Sequence, residues 1–118
     1  MSVLPTGRLA PKHPERLQLY TLPTPNGQKA SIALEELGLP YEAHRINIME
    51  GDQHTDEYVR SSPNSKIPAL IDTTGRGGEP GAIMESGAIL LYLSRKAGGK
   101  LLLPGPTGEI ETPQWMLF

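Results

Sequence analysis

The sequence contains no cysteine in its 118 residues. Structural disulfides, thiolate metal sites and a redox-active dithiol on the chain itself are therefore excluded. Long apolar runs are also absent, because the longest, residues 88–93, is far shorter than the roughly 20 residues of a membrane-spanning helix. No basic start followed by an apolar stretch indicates a signal peptide, so we expect a cytoplasmic protein without a membrane partner.

Neither sign of charge dominates the chain. It carries 11 Lys and Arg against 13 Asp and Glu, a net charge of -2. Because no basic run and no basic residues interleaved with aromatics occur, nucleic acid is not an expected partner. His13, His44 and His54 lack the spacing of metal ligands, so we predict that each lies on the surface and that no metal is bound. The length fits one domain of ordinary size.

Residues 17–37 predict a strand, a turn and a helix. Apolar and polar residues alternate over 17–22, which is typical of a strand. Thr24 suits the N-cap of a following helix, and Pro25 suits its first position. Apolar residues at 30, 33, 34 and 37 then follow helical spacing, and Gly38 ends the helix.

A proline opens the third predicted strand, residues 66–72. Because proline has no N–H to donate to a sheet, Pro68 must lie at the start of the strand or on an unpaired edge. The N–H and C=O of Ile67 are then left free for an extended, peptide-like ligand. Lys66 places a positive charge immediately before this free backbone.

A carboxylate and a hydroxyl, on Glu85 and Ser86, precede the apolar run at 88–93. If that run is helical, Ser86 lies at the helix N-terminus, where unpaired N–H groups favour an anion. Glu85 beside it would attract a cation. Together with Lys66 and the backbone of Ile67, these groups suggest a small zwitterionic peptide as the ligand.

The remaining elements complete a βαβ unit followed by αββα. Polar residues interrupt the strand predicted over 41–48, which places it at a sheet edge. Residues 54–61 predict a short irregular helix, 82–84 a return strand and 86–97 the last helix. The glycines within 73–81 lack the spacing of a phosphate-binding loop, so a hairpin loop is the better interpretation.

The two ends of the chain differ from its middle. Residues 1–16 contain three prolines and no periodicity, which predicts an extended arm, with a disordered tail as the alternative. Residues 100–118 end in an apolar run without a stop signal. We therefore expect a linker and the start of a second helical body, which would also cover the apolar last helix.

Three motifs, in order, resemble the glutathione transferase superfamily. They are Thr-Pro-Asn-Gly-Gln-Lys at 24–29, Pro-Asn-Ser-Lys-Ile-Pro-Ala-Leu at 63–70 and Glu-Ser-Gly-Ala-Ile-Leu-Leu-Tyr-Leu at 85–93. The Thr-Pro-Asn-Gly turn is similar to that of the nu class, whose members are glutathione-dependent disulfide-bond oxidoreductases. The resemblance implies a homodimer for the full-length protein.

The same resemblance implies a fold. The class would be α/β, with a thioredoxin-like βαβαββα domain at 17–99 built on a mixed four-stranded sheet. The chain would be truncated before an all-helical C-terminal domain, which would follow a linker within 100–118. A cis peptide bond before Pro68 is also implied.

The resemblance further assigns roles to individual residues. The ligand would be glutathione, with its glutamyl ammonium at Glu85, its glutamyl carboxylate at Ser86 and its cysteinyl part along Ile67. The glutathione-binding residues would be Gln53, Lys66, Ile67, Pro68, Glu85 and Ser86, where Gln53 and Lys66 hold the glycyl carboxylate. Thr24 and Asn26 would lie beside the reacting sulfur. Taken singly, these residues also allow plainer roles as helix caps, turn formers or solvated surface groups.

Without a cysteine in the chain, the reacting thiol would be that of glutathione. A Thr hydroxyl and an amide donate to a thiolate but cannot readily take its proton, so they would lower the thiol pKa from about 8.5. The implied enzyme reduces disulfides, or conjugates electrophilic small molecules, with glutathione as co-substrate. The alternatives are a non-catalytic glutathione-binding regulatory or scaffold module, and a thioredoxin-fold module that has lost its ligand.

Overall fold

The computed structural model describes residues 4–75, 78 and 80–117. The strands and helices follow one another in this order: β1 Leu17–Thr21, α1 Pro25–Leu37, β2 Tyr41–Arg45, α2 Asp56–Val59, β3 Ala69–Asp72, β4 Gly81–Met84, α3 Ser86–Lys96 and α4 Gly105–Leu117. Short 3-10 turns lie at Gly7–Leu9, Ile48–Glu50 and Asp52–His54. Part of the predicted hairpin loop, at 76, 77 and 79, lies outside the described residues.

The strands form one mixed four-stranded sheet in the order β2-β1-β3-β4. β1 pairs in parallel with β2 and antiparallel with β3, and β3 pairs antiparallel with β4. The predicted thioredoxin-like arrangement is confirmed, with β2 at a sheet edge as its polar residues indicated. The helix predicted over 54–61 is shorter than expected, since only Asp56–Val59 is α-helical.

Helix α1 begins and ends where the sequence predicted. The Thr24 hydroxyl accepts a hydrogen bond from the Gly27 N–H at 3.2 Å, and Gly38 ends the helix in the left-handed conformation at φ 66. A Cβ at position 27 would lie 1.9 Å from the carbonyl oxygen of Leu22. The first turn of α1 therefore passes directly against the end of β1, and only glycine fits at this contact.

Alternate residues of the central strands pack on opposite faces of the sheet. Leu19 and Leu70 face α1 and α3, in the cluster Leu17, Leu19, Ala30, Ala33, Leu34, Leu37, Leu70, Ile89 and Leu93. Tyr20 and Ile71 belong to the other cluster, with Leu9, Ile46, Tyr58 and Ala69. This alternation gives a three-layer domain whose central strands are buried on both sides.

Asp72 links the end of β3 to the last turn of α3. Its buried carboxylate accepts hydrogen bonds from Tyr92, from Lys96 Nζ at 2.9 Å, and from the N–H and hydroxyl of Thr74 at 2.9 and 3.0 Å. Burial alone would raise the pKa of Asp72, but these bonds from Tyr92, Lys96 and Thr74 outweigh it and lower the pKa to about 2. The ionised carboxylate thus fixes α3 against the sheet.

The segment before β1 packs against the domain through its backbone. Leu9 is buried, and its carbonyl accepts a hydrogen bond from the Tyr20 hydroxyl at 3.0 Å. The Glu42 carboxylate accepts from the N–H groups of Lys12 and His13 at 2.7 and 2.8 Å. These contacts tie the described part of the arm to β1 and β2, in contrast to a loose tail.

The prediction that His44 lies on the surface is wrong. Its side chain is only 9% exposed, its ring stacks on Tyr20 at 4.5 Å between centroids, and its Nε2 donates to Gln18 Oε1 at 2.8 Å. Gln18 is itself fully buried under the arm. Its amide NH₂ donates to the backbone carbonyls of His13 and Arg16, which satisfies this polar group in the interior. The arm covers this part of the sheet edge, so that Gln18 and His44 are shielded from solvent. Burial accordingly lowers the pKa of His44, although Glu42 opposes that change.

We expect Asp72→Asn to lower the free energy of unfolding at pH 7 by about 2 kcal/mol. The folded-state pKa of Asp72 is depressed, so its contribution is present above about pH 4, the unfolded value, and is lost as the pH falls towards 2. Urea denaturation at pH 7 and pH 3 measures this difference, which should roughly halve at pH 3. Glu36→Gln, at an exposed position, is the control; an equal loss at both pH values for Asp72→Asn contradicts the assignment.

We expect Glu42→Ala to release the arm, because two backbone N–H groups lose their shared acceptor. Trypsin cleavage after Lys12 and Arg16 should then become about tenfold faster, as followed by mass spectrometry. Glu50→Ala, which changes an exposed carboxylate on a neighbouring turn, should leave the cleavage rate unchanged. Unchanged cleavage in Glu42→Ala would show that other contacts hold the arm.

Candidate glutathione-binding groove

The sheet brings three distant chain segments to one end of the domain. Ala69, the first residue of β3, lies opposite Tyr20 near the end of β1 and opposite Met84 at the end of β4. The Thr24 turn, the Pro68 turn and the Glu85-Ser86 pair follow or precede these strand ends directly. The three motifs of the sequence are therefore neighbours in the structure.

A groove of about 150 Å³ opens at this end. Its lining residues are Asn26, Ser62, Asn64, Lys66, Ile67, Pro68, Met84, Glu85 and Ser86. The groove thus combines the exposed amide of Asn26, the backbone around Pro68 and the start of α3. Lys66 and Glu85, which carry opposite charges, share it.

The backbone of Ile67 is available at the groove. The Ile67–Pro68 bond is cis, as the resemblance implied, and β3 begins only at Ala69. Within the part of the chain that the structure describes, neither the N–H nor the C=O of Ile67 hydrogen-bonds to another residue. An unpaired peptide group beside a groove is the requirement for binding an extended peptide.

Glu85 and Ser86 stand at the N-terminus of α3, as the sequence predicted. Glu85 is the N-cap residue, but its side chain does not cap the helix, and its backbone has a positive φ of 73 with ψ 121, which is unusual for a residue with a side chain. Its carboxylate is exposed and pairs with no cation among the described residues. The first N–H to enter the helical ladder is that of Ile89, which leaves the groups before it free for an anion.

Lys66 lies at the mouth of the groove with an exposed side chain. Its ammonium group forms no ion pair with another described residue. Its backbone is in contrast firmly held, because the Lys66 carbonyl accepts from the hydroxyls of Tyr58 and Ser62. A fixed backbone with a free ammonium suits contact with an anionic ligand group.

Thr24 and Asn26 both lie in the turn that starts α1, but only Asn26 lines the groove. The Thr24 hydroxyl acts as the helix cap, where it accepts from Gly27 and keeps its own proton free to donate. Asn26 Oδ1 accepts from Lys29 Nζ at 3.2 Å, so the NH₂ of the amide remains available. The plain role of Thr24 as a cap and a donor role are therefore compatible.

Gln53, like Thr24, is a predicted site residue that does not line the groove. Its Nε2 donates to the Ile48 carbonyl at 3.3 Å, and its Oε1 is buried without a hydrogen-bond partner among the described residues. It lies on the 3-10 turn Asp52–His54. The amide oxygen of Gln53 is thus turned into the protein, while its Nε2 keeps a second N–H beyond the bond to Ile48.

Sequence reasoning missed four residues of the site or its support. Asn64 and Met84 line the groove, and the fully buried Ser62 and Tyr58 hold the backbone beside it. Asn64 stands within the motif that the sequence singled out, whereas Tyr58 carried no signal beyond its size and apolar ring. Tyr20 belongs to the core, since its ring is buried and its hydroxyl donates to the Leu9 carbonyl.

The described residues contain no group of three or more acidic, histidine or cysteine side chains arranged for a metal ion. Among those same residues, the helices are too short or too polar to cross a membrane.

A family model and curated relatives match this architecture. The model for the glutathione S-transferase N-terminal domain matches residues 19–101. Disulfide-bond oxidoreductase YfcG of Escherichia coli is 45% identical over 104 residues, which cover 86% of this chain and 47% of the relative. Disulfide-bond oxidoreductase YghU of the same organism is 47% identical over 122 residues, covering 98% of this chain and 39% of the relative. The chain thus spans less than half the length of these relatives.

Solved structures show the same similarity. A glutathione transferase family member from Pseudomonas fluorescens, with two glutathione molecules bound, superposes with a TM-score of 0.86 and 54% identity over 92% of this chain and 47% of that one. A glutathione transferase from Pseudomonas putida, with one glutathione disulfide per subunit, gives the same TM-score and identity over 92% and 46%. Because the family model covers most of the chain, the protein belongs to the glutathione S-transferase family and carries its N-terminal domain.

Proposed function

We propose that this chain binds glutathione in the groove at Ile67, and that the protein uses the bound thiolate to reduce disulfides. The observation that carries the proposal is the groove itself, where the free backbone of Ile67 lies between an ammonium group and the N-terminus of α3. Glutathione offers the matching groups, which are a peptide backbone, an α-ammonium group and two carboxylates. The disulfide-bond oxidoreductases and glutathione-bound structures among the relatives support this assignment.

Each ligand group has a complementary partner. The glutamyl ammonium pairs with Glu85, and its carboxylate accepts from the hydroxyl of Ser86 and the first N–H groups of α3. The cysteinyl backbone pairs with Ile67, against the ring of Pro68. Lys66 pairs with the glycyl carboxylate. Gln53 keeps one N–H of its amide beyond its bond to Ile48 for the same carboxylate.

The proposed chemistry of the glutathione thiol depends on hydrogen-bond donors to its sulfur and does not use a general base from the chain. The Thr24 hydroxyl and the Asn26 amide donate to the sulfur, which favours the thiolate and lowers the thiol pKa from about 8.5. The start of α1 adds its dipole. The thiolate attacks a disulfide, forms a mixed disulfide with glutathione and expels the other sulfur as a thiolate. A second glutathione thiolate attacks the glutathione sulfur of that mixed disulfide, so glutathione disulfide forms and the second substrate thiol leaves.

Two further parts of the proposal concern location and assembly. We place the protein in the cytoplasm, where glutathione is kept reduced and a chain without cysteine needs no oxidising environment. We also propose that the full-length protein is a homodimer. The exposed apolar side chains of Ile110, Trp115 and Leu117 on α4 support burial against further protein surface.

Calorimetry with glutathione tests the binding assignment. We expect Ser86→Ala to raise Kd about tenfold or more, because a hydrogen bond to a charged group contributes about 1.5–3 kcal/mol. Glu85→Gln should weaken binding to a similar extent by removing the partner of the ammonium. Lys66→Ala should raise Kd only about threefold, since an exposed ion pair contributes less than about 1 kcal/mol.

Matched controls come from charged residues far from the groove. Glu36→Gln and Lys100→Ala change exposed side chains of the same types and should leave Kd unchanged. A folded wild-type protein that gives no heat with millimolar glutathione would overturn the assignment of the groove.

The turnover of a small mixed disulfide with glutathione tests the reaction. In Thr24→Val the hydroxyl donor is lost, so the pKa of the bound thiol should rise and the pH–rate profile should move to higher pH by about one unit. Thr24→Ser keeps the hydroxyl and should keep the profile of the wild type. Because Thr24 also caps α1, both variants are compared at temperatures where circular dichroism shows them folded.

The alternative function predicts a different result. A non-catalytic binding module would bind glutathione and show the same changes in Kd in the variants described above, but it would show no disulfide turnover above the uncatalysed rate. Ure2p, which is 31% identical to this chain, has been solved in complex with S-hexylglutathione, so a relative of this fold binds a glutathione derivative. Binding without turnover by the full-length protein would therefore reject the reductase proposal and leave the groove assignment intact.

A further inference from the structure

Two buried hydroxyls converge on one carbonyl beside the groove. Tyr58 donates its hydroxyl hydrogen to the Lys66 carbonyl oxygen, and Ser62 Oγ donates to the same oxygen at 2.8 Å. Ser62 Oγ also accepts from the Lys66 N–H at 3.3 Å. Both side chains are fully buried, and both lone pairs of the carbonyl are thereby used.

The held carbonyl determines the direction of the next N–H. The Lys66 C=O and the Ile67 N–H belong to one planar peptide unit, in which they point in opposite directions when the bond is trans. Among the described residues the cis bond is that between Ile67 and Pro68, so the Lys66–Ile67 unit is trans. With its carbonyl drawn inward by Tyr58 and Ser62, this unit must turn the Ile67 N–H away from the core.

The N–H that is turned outward is the one without a partner inside the domain. The Ile67 N–H makes no hydrogen bond to a described residue, while Ser62, Lys66 and Ile67 all line the groove. A peptide unit with one end fixed and one end free is pre-organised for a ligand, because its orientation need not be ordered on binding. Tyr58 remains a donor, since burial raises the pKa of its hydroxyl more than the hydrogen bond with Ser62 lowers it.

We propose that Tyr58 and Ser62 are positioning residues, which hold the Lys66–Ile67 peptide unit so that the Ile67 N–H faces the bound glutathione. The proposal rests on the function proposed above. It assigns to α2 and the segment after it a part in ligand affinity, although the side chain of Tyr58 does not line the groove.

The chain offers a matched pair of tyrosines for the test. Tyr58→Phe removes the hydroxyl that holds the Lys66 carbonyl, and Tyr92→Phe removes a hydroxyl that donates to Asp72 at the opposite end of β3. Both variants lose one hydroxyl hydrogen bond to an oxygen. We expect Tyr58→Phe to raise the Kd for glutathione about threefold to tenfold. Tyr92→Phe should leave Kd within about 1.5-fold of the wild type while lowering Tm.

A second observable reports on the peptide unit without ligand. The ¹H–¹⁵N resonance of Ile67 should shift in Tyr58→Phe and stay in place in Tyr92→Phe. If Tyr58→Phe does not fold, Ser62→Ala is compared with Ser94→Ala, a buried serine on α3, with the same expected contrast.

The outcomes separate this inference from the function on which it rests. A wild type that binds glutathione, together with a folded Tyr58→Phe of equal affinity, would overturn the positioning role alone. Equal losses of affinity in Tyr58→Phe and Tyr92→Phe would also overturn it, because affinity would then follow stability. A wild type that does not bind glutathione would overturn the proposed function and this role together.

Discussion

An unpaired peptide group at Ile67 is the constraint on which the site depends. Folded proteins pair nearly all their backbone N–H and C=O groups, and a proline that cannot donate creates an exception. Here the exception falls where β3 begins one residue after Pro68, at the sheet end that also receives the turn of α1 and the start of α3. At this end the sheet therefore leaves the N–H and C=O of Ile67 without a partner among the described residues, surrounded by charged and polar groups from three segments.

The rest of the domain keeps these segments in place. Side chains on both faces of β1 and β3 are buried in two apolar clusters, which fix the register of the strands. Asp72 fixes the last turn of α3 to the far end of β3, and the first turn of the same helix stands at the groove. Groups on strand ends and helix starts are thereby positioned by the packed scaffold, whereas the side chains of Asn26, Lys66 and Glu85 stay exposed.

Local signals predicted much of this arrangement from the sequence. The cap at Thr24, the helical spacing of α1 and the break at Pro68 each depend on residues a few positions apart, and each prediction is confirmed. The burial of His44 escaped prediction because its partner Gln18 lies 26 residues away and the arm covers both. Tyr58 and Ser62 escaped it for a related reason: a hydroxyl's choice of carbonyl is set by how α2 packs, which no periodicity records.

Glu85 gives the strongest sign of a ligand from the protein alone. A residue with a side chain at φ 73 and ψ 121 costs about 1–3 kcal/mol, and such positions persist where function requires them. Its carboxylate is exposed and has no cation partner among the described residues, so neither packing nor pairing explains it. Ser86 beside it opens a helix N-terminus that attracts an anion. Adjacent sites for a cation and an anion match an α-amino-acid head group, in which an ammonium group and a carboxylate are attached to the same carbon. An isolated carboxylate would be repelled by Glu85, which favours a ligand with a free amino-acid end, such as the glutamyl end of glutathione.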